Sequence, residues 1–132
     1  MSNKVNELRE MRDKELLSAY RKVIKEEFEA GKHIDRKRVI KRVIEESHPH
    51  FHVSFEHAYK VLSSVRIHGT ESFKCTLRRQ MWSELLTLVE EEMQAKPYLT
   101  LSNALSRVLA SKRASRFYIS PEYCYKYLYK FA

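Results

Sequence analysis

The sequence has very few of the residues that form tight turns. Its 132 residues include only 2 glycines and 3 prolines. Sheets of short strands need many turns, and turns favour these residues. Their scarcity argues against a small β-sandwich or barrel and favours long helices joined by few connections.

Cysteines and long apolar runs are also scarce. Cys75 and Cys124 stand alone, without the spacing of a metal or redox motif, which predicts a reducing, intracellular setting. No apolar run approaches the roughly 20 residues that cross a membrane, and the charges from Lys4 onward predict no signal peptide. We therefore expect a soluble cytoplasmic protein without membrane association.

Positive charge is what the chain has in excess. It carries 25 Lys and Arg against 17 Asp and Glu, a formal net charge of +8, while 43% of its residues are hydrophobic. This apolar content is sufficient for a globular core. A surface of this charge attracts polyanions such as DNA, RNA or anionic lipid, although many basic proteins bind none of them.

An internal repeat organises the sequence. Residues 51–62 (FHVSFEHAYKVL) align with residues 117–128 (FYISPEYCYKYL), with six of twelve positions identical at an offset of 66. Upstream, the best sequence match has an offset of 65, which lays Val23-Ile24 on Leu88-Val89. A tandem duplication explains these matches. We expect one repeat at residues 1–67 and another at 68–132, packed as one compact domain.

Each repeat predicts three helices, so the fold class is all-α with about six helices in two pseudo-symmetric halves. The first helix of repeat 1 should start near Ser2 or Asn3 and end at Ala30-Gly31, because glycine commonly ends helices. The second and third helices of each repeat should begin after a polar capping residue. The predicted caps are Asp35, Ser54, Thr100 or Ser102, and Ser120.

Apolar residues around the third helix of each repeat predict its inner face. Before the cap, alternating apolar residues should enter the core in extended conformation; these are Phe51, Val53, Phe117 and Ile119. Within the helix, the residues predicted to face inward are Ala58, Leu62, Val65, Cys124, Leu128 and Phe131.

The order of helices in each repeat resembles a helix-turn-helix module, in which a later helix presents its N-terminal residues to the DNA major groove. Two such units in one chain would imitate the two half-sites of a dimeric repressor. The connection of about seven residues exceeds the usual three or four, so a three-helix bundle without a ligand is the alternative.

Nucleic acid, and DNA rather than RNA, is the partner that these features favour. Basic residues gather in the later part of each repeat, where they could neutralise phosphates. The predicted nucleic-acid-binding residues are Arg36, Lys37, Lys41, His57, Lys60, Lys112, Arg113, Arg116, Tyr123, Lys126 and Lys130.

A second functional interpretation is a protein–protein adaptor that uses the tyrosine-rich C-terminal helix to bind a protein partner or a second copy. Tyr123, Tyr127 and Tyr129 have no aromatic counterpart in repeat 1, so they are candidates for a partner surface. The cluster His48, His50 and His52 has no counterpart in repeat 2 and lacks a standard ligand spacing. With no catalytic motif present, we expect no enzyme, metal, cofactor or small-molecule substrate.

The segments ELREMRDKEL (residues 7–16) and RFYISP (residues 116–121) resemble small, basic, two-repeat helical proteins of gut anaerobic bacteria. That family has no assigned activity. The resemblance implies a bacterial cytoplasmic protein, with a mobile element as its source, and it transfers no site residues.

Overall fold

The computed structural model describes residues 3–131, and the side chains of residues 6–130. Six α-helices and no strand occur within this range. They are α1 (Asn3–Glu29), α2 (Arg36–Glu46), α3 (Phe55–His68), α4 (Thr76–Ala95), α5 (Leu101–Ser111) and α6 (Pro121–Leu128), which continues into a 3₁₀ turn at Tyr129–Phe131. The expectation of an all-α chain with about six helices is confirmed.

Four helices begin at the polar caps that the sequence predicts. The Oγ of Ser54 accepts a hydrogen bond from the backbone N–H of His57, and the Oγ of Ser120 accepts one from Tyr123, each at 3.2 Å. Asp35 and Thr100 cap α2 and α5 in the same way. Thr100 is thus the cap of α5, in preference to Ser102. Each cap stabilises its helix by about 1 kcal/mol, because it satisfies a backbone donor that the helix leaves unpaired.

Glycines follow the ends of two helices. Gly31 has φ +71° just beyond α1, and Gly69 has φ +76° at the end of α3. A side chain at either position would be strained in this left-handed region, whereas glycine has no Cβ to clash. Gly31 lies where the sequence predicts the end of α1.

The helices form two compact units that exchange their third helices. The first unit contains the chain up to Pro49 and from Ser115 onward, and the second contains His50–Ala114. In the first unit α6 packs against α1 and α2, and in the second unit α3 packs against α4 and α5. Each unit therefore combines two helices of one half of the sequence with the third helix of the other half.

These units differ in their boundaries from the predicted repeats 1–67 and 68–132. The predicted boundary lies inside α3, within the second unit. Helices α2 and α3, which a helix-turn-helix motif would pair consecutively, belong to different units. The connecting segments are 47–54 and 112–120, and eight extended residues can span roughly 26 Å. A three- or four-residue turn would instead hold the third helix beside the second.

The core of the first unit joins three helices and one extended segment. The backbone N–H of Phe117 donates to the carbonyl of Ile44 at 2.9 Å, which ties the segment before α6 to the end of α2. Phe117 and Ile119 enter the core, as their alternation predicts. The buried residues of this core are Leu16, Val23, Val39, Ile40, Val43, Ile44, Phe117, Ile119, Cys124 and Leu128.

The core of the second unit also lies among three helices, α3, α4 and α5. Phe51 is buried before α3, whereas Val53, which the sequence also predicts to enter the core, is only half-buried. The predicted inner face of α3 is confirmed at Ala58, Leu62 and Val65. The side chain of Phe131, which the sequence predicts to face inward beyond α6, lies outside the described residues. The buried apolar residues of this unit are Phe51, Ala58, Leu62, Val65, Trp82, Leu85, Val89, Ala104, Leu105, Val108 and Ala114.

A buried carboxylate joins α1 to α2 in the first unit. Glu27 is only 2% exposed, and burial of a charge is costly unless it is paired. The guanidinium of Arg38 donates to the carboxylate of Glu27 at 2.5 Å and 3.4 Å, and Arg42 lies 3.7 Å from it. The hydrogen bond from Arg38 holds the pKa of Glu27 below its ordinary value, against the opposing effect of burial.

The substitution Glu27→Gln should lower stability at neutral pH and flatten the acid limb of the stability curve. A carboxylate whose pKa is lowered by folding contributes stability above its unfolded pKa, near 4.5. That contribution is lost as pH falls through the lower folded pKa. Thermal unfolding between pH 7 and pH 3 measures both effects. Glu29→Gln makes the same charge change at an exposed position of the same helix, so it should leave the curve nearly unchanged. Equal curves for the two variants would contradict this role of Glu27.

The exchange of third helices predicts which helices lose stability when a core residue is truncated. Leu62 and Leu128 are 0% and 4% exposed, so truncation of either to alanine should cost about 2–5 kcal/mol. Leu62→Ala should weaken hydrogen-exchange protection in α4 and α5, and Leu128→Ala should weaken it in α1 and α2. If each substitution instead acted on the two helices that precede it in its own half of the sequence, the exchange would be wrong.

Candidate nucleic-acid interface

Helix α2 carries five cations that fall into two sets. Arg38 and Arg42, four residues apart, share one side of the helix and reach the acidic end of α1. The other three cations, at positions 36, 37 and 41, are exposed and form no salt bridge within the described part of the chain. The helix thus carries two cations that pair with the acids of α1 and three exposed cations that do not.

The acids of α1 are neutralised where they meet α2. The guanidinium of Arg42 lies 2.6 Å from the carboxylate of Glu26 and 3.6 Å from that of Glu46. Together with the Arg38–Glu27 pair, these contacts offset the acidic charges closest to α2. A polyanion that approaches Lys37 and Lys41 therefore meets less repulsion than the sequence of α1 suggests.

Helix α6 adds two further cations to the same unit. Lys126 is exposed on α6, and Lys130 is exposed on the 3₁₀ turn that follows it. Because α6 packs against α2, the first unit brings together five exposed cations among the predicted site residues, on α2, on α6 and on the turn that follows α6. We call this set the basic surface: Arg36, Lys37, Lys41, Lys126 and Lys130.

Arg116 lies in the first unit but is held by its own segment. Its Nε donates to the backbone carbonyl of Phe117 at 3.0 Å, and its guanidinium lies 5.7 Å from the ring centroid of Tyr118. The side chain is half-buried. Arg116 therefore contributes positive charge to the unit but has less freedom to follow a ligand than the exposed lysines.

Tyr123 fastens α6 to α1. Its hydroxyl donates to the carboxylate of Asp13, 2.9 Å from both oxygens, and the guanidinium of Arg12 lies 4.6 Å from its ring centroid. Its ring also stacks on Tyr127 with centroids 6.3 Å apart. Burial, and then the hydrogen bond to Asp13, raise the pKa of Tyr123. The hydroxyl of Tyr123, a predicted site residue, therefore serves to hold α6 against α1.

The roles of Arg12 and Asp13 were missed by reasoning from the sequence. Both lie in the charged N-terminal half of α1, where nothing distinguishes them from the other charges of that helix. Their partner is 110 residues away in the sequence. Only the return of α6 to the first unit brings Tyr123 to them.

The remaining four predicted residues belong to the second unit. Lys60 and Lys112 are exposed. The rings of His57 and Trp82 meet at an interplanar angle of 68° with centroids 5.7 Å apart, and a guanidinium nitrogen of Arg113 lies 3.3 Å from Nδ1 of His50. The structure thus divides the eleven predicted site residues, with seven in the first unit and four in the second.

No metal site is formed within the described range: it contains no group of three or more His, Cys, Asp or Glu residues able to hold an ion. The three histidines at positions 48, 50 and 52 lie on the connection between α2 and α3. Across the same range, each helix is too short or too polar to cross a membrane. Cys75 is exposed and Cys124 is buried, and burial raises the pKa of the Cys124 thiol to about 11.

The substitution Tyr123→Phe should destabilise the first unit by about 1.5–3 kcal/mol, because it removes a hydrogen bond to a charged partner, Asp13, whose side chain is 15% exposed. Urea unfolding measures the change. Tyr129→Phe is the matched control, since Tyr129 is 73% exposed and should lose almost nothing. An equal cost at both positions would show that the Asp13 contact contributes little.

The first unit thus carries exposed cations on α2, on α6 and on the turn after α6, while the tyrosines at positions 123, 125 and 127 pack against its core. Comparison with known proteins adds no relative on which to base a function. No protein-family model, curated protein or solved structure matches this chain.

Proposed function

We propose that the protein is a non-enzymatic nucleic-acid-binding protein that binds double-stranded DNA through the basic surface. One observation carries the proposal. Arg36, Lys37 and Lys41 are exposed and form no salt bridge in the described residues, while Arg38 and Arg42 of the same helix neutralise nearby carboxylates. Exposed cations that form no salt bridge are suited to phosphates, because each phosphate contact releases condensed counterions.

Helical geometry favours duplex DNA over RNA. The major groove of B-DNA admits an α-helix, whereas the major groove of A-form RNA is too narrow for side chains to read. In a helix-turn-helix protein one helix crosses the backbone and the next enters the groove. Helices α2 and α6 would form such a pair here, although they are distant in the sequence.

We also propose that the chain arose by tandem duplication of a three-helix unit. Arg42 binds Glu26 and Arg107 binds Glu92, so the same contact occurs between the first two helices of each half. Ser54 and Ser120 cap the third helices in the same way. Burial supports an offset of 66 in the first helix, with Leu16 matching Trp82 and Val23 matching Val89. The sequence match alone placed this helix at 65.

The biological setting that we propose follows from the family resemblance: a cytoplasmic regulator from a bacterial mobile element. A small basic protein that binds duplex DNA fits this setting.

The adaptor interpretation has less support. Tyr123, Tyr125 and Tyr127 are half-buried and pack against the core of the first unit. In the C-terminal helix and its 3₁₀ turn, Tyr129 is the tyrosine left largely exposed within the described side chains. A single aromatic residue is a small anchor compared with the several hundred Å² of a typical interaction patch. We therefore favour DNA binding.

A mobility-shift assay on random-sequence duplex DNA tests the proposal. The wild type should retard the duplex at about 50 mM salt and lose affinity steeply by about 200 mM. The triple variant Arg36→Ala, Lys37→Ala, Lys41→Ala should weaken binding and reduce the slope of log affinity against log salt by roughly 2.7, about 0.9 for each lost phosphate contact.

The matched control removes three exposed lysines of α1: Lys14→Ala, Lys22→Ala, Lys25→Ala. Net charge falls equally in both variants, so a smaller effect in the control would locate binding at α2. The absence of any retarded complex at low salt would refute DNA binding, and equal losses in the two triple variants would refute the basic surface as its site.

A further inference from the structure

We infer that the protein docks DNA through the first unit alone and that the second unit is not an equivalent half-site. This inference rests on the proposed function and specifies how the DNA is held. It replaces the expectation that the chain imitates a dimeric repressor with two equivalent DNA-reading units.

The comparison of α2 with α5 carries the inference. The caps Asp35 and Thr100 lie 65 residues apart, and the same spacing relates the buried pairs Ile40 and Leu105, and Val43 and Val108. The caps and the buried residues therefore align the two helices without any use of their surface residues. In that register, the positions of the α2 cations Arg36, Lys37 and Lys41 are occupied in α5 by Leu101, Ser102 and Ser106.

The cation that both helices retain is the one committed to the fold. Arg107 corresponds to Arg42, and its Nε lies 2.8 Å from the carboxylate of Glu92, as Arg42 lies 2.6 Å from Glu26. Hydrogen bonds from Arg107 and then from Lys96 hold the pKa of Glu92 below its ordinary value. The second unit therefore has the same internal ion pair, but its α5 has no counterpart of the three α2 cations that form no salt bridge in the described residues.

The second unit has other exposed cations, but none of them lies on α5; they include Lys60, Arg66, Lys74, Arg78 and Lys112. His57 lies against Trp82, and Arg113 contacts His50. Lys60 corresponds to Lys126 on the third helix, but Lys130 corresponds to Ser64, which is uncharged. Because affinity for DNA rises with the number of phosphates neutralised, the first unit should dominate binding.

Single-unit docking has a distinct footprint. A two-unit repressor needs half-sites one helical turn apart, about 34 Å or roughly 10 base pairs between centres. A single unit needs only one such segment. After correction for the number of binding positions on each duplex, the chain should therefore bind a duplex of one turn almost as tightly as a duplex of two turns.

Fluorescence anisotropy with labelled random-sequence duplexes tests this with two double variants of the full chain. Lys37→Ala with Lys41→Ala removes two charges from α2, and Lys60→Ala with Lys112→Ala removes two exposed charges from the second unit. The first variant should reduce the slope of log affinity against log salt by roughly 1.8. Between 50 and 200 mM salt, the wild type should therefore lose about 12-fold more affinity than this variant does. The second variant should change affinity less than about twofold. Circular dichroism melts should show that both variants fold as the wild type does.

The outcomes separate this inference from the proposed function. If the wild type binds and both double variants lose affinity equally, or if binding requires a two-turn duplex, docking through one unit is wrong while DNA binding stands. If the wild type binds no duplex at low salt, DNA binding fails and this inference fails with it. A loss confined to the α2 variant, together with tight binding of the one-turn duplex, supports docking through the first unit.

Discussion

The structure depends on the need of each two-helix hairpin to cover an apolar face. Leu16, Val39 and Val43 form an apolar face on α1 and α2 that the two helices alone would leave exposed. Cys124 and Leu128 of α6 cover this face. Helix α3 does the same for α4 and α5. Burial of apolar surface is the main favourable contribution to folding, so neither hairpin is complete until the third helix from the other half of the chain has packed on it.

This exchange places the charges that a ligand would meet. Because α6 returns to the first unit, Lys126 and Lys130 join the cations of α2, and Tyr123 reaches Asp13. The ion pairs between α1 and α2 neutralise acids that would otherwise repel a polyanion. The basic surface is thus a product of the packing of helices that are distant in the sequence. When α2 and α5 are aligned at their caps, α5 has Leu101, Ser102 and Ser106 where α2 has Arg36, Lys37 and Lys41.

Local features were readable from the sequence because their causes are local. The caps Ser54, Thr100 and Ser120 and the helix end at Gly31 depend on hydrogen bonds and backbone angles within a few residues. The burial of Phe51 and Phe117 followed from the alternation of apolar residues. The site was predictable only as a set of cations: nothing in the sequence separated Arg38, which pairs with Glu27, from Lys37, which has no salt bridge in the described residues.

The sequence by itself determined the six helices, most of the positions at which they start and the apolar faces that form the cores. Only the tertiary structure decided which hairpin each third helix completes. Both hairpins offer apolar faces of similar character, and connections of eight and nine residues permit more than one pairing. The choice between them is a property of packing between distant segments, and it also decides which cations share a unit and which tyrosine binds Asp13.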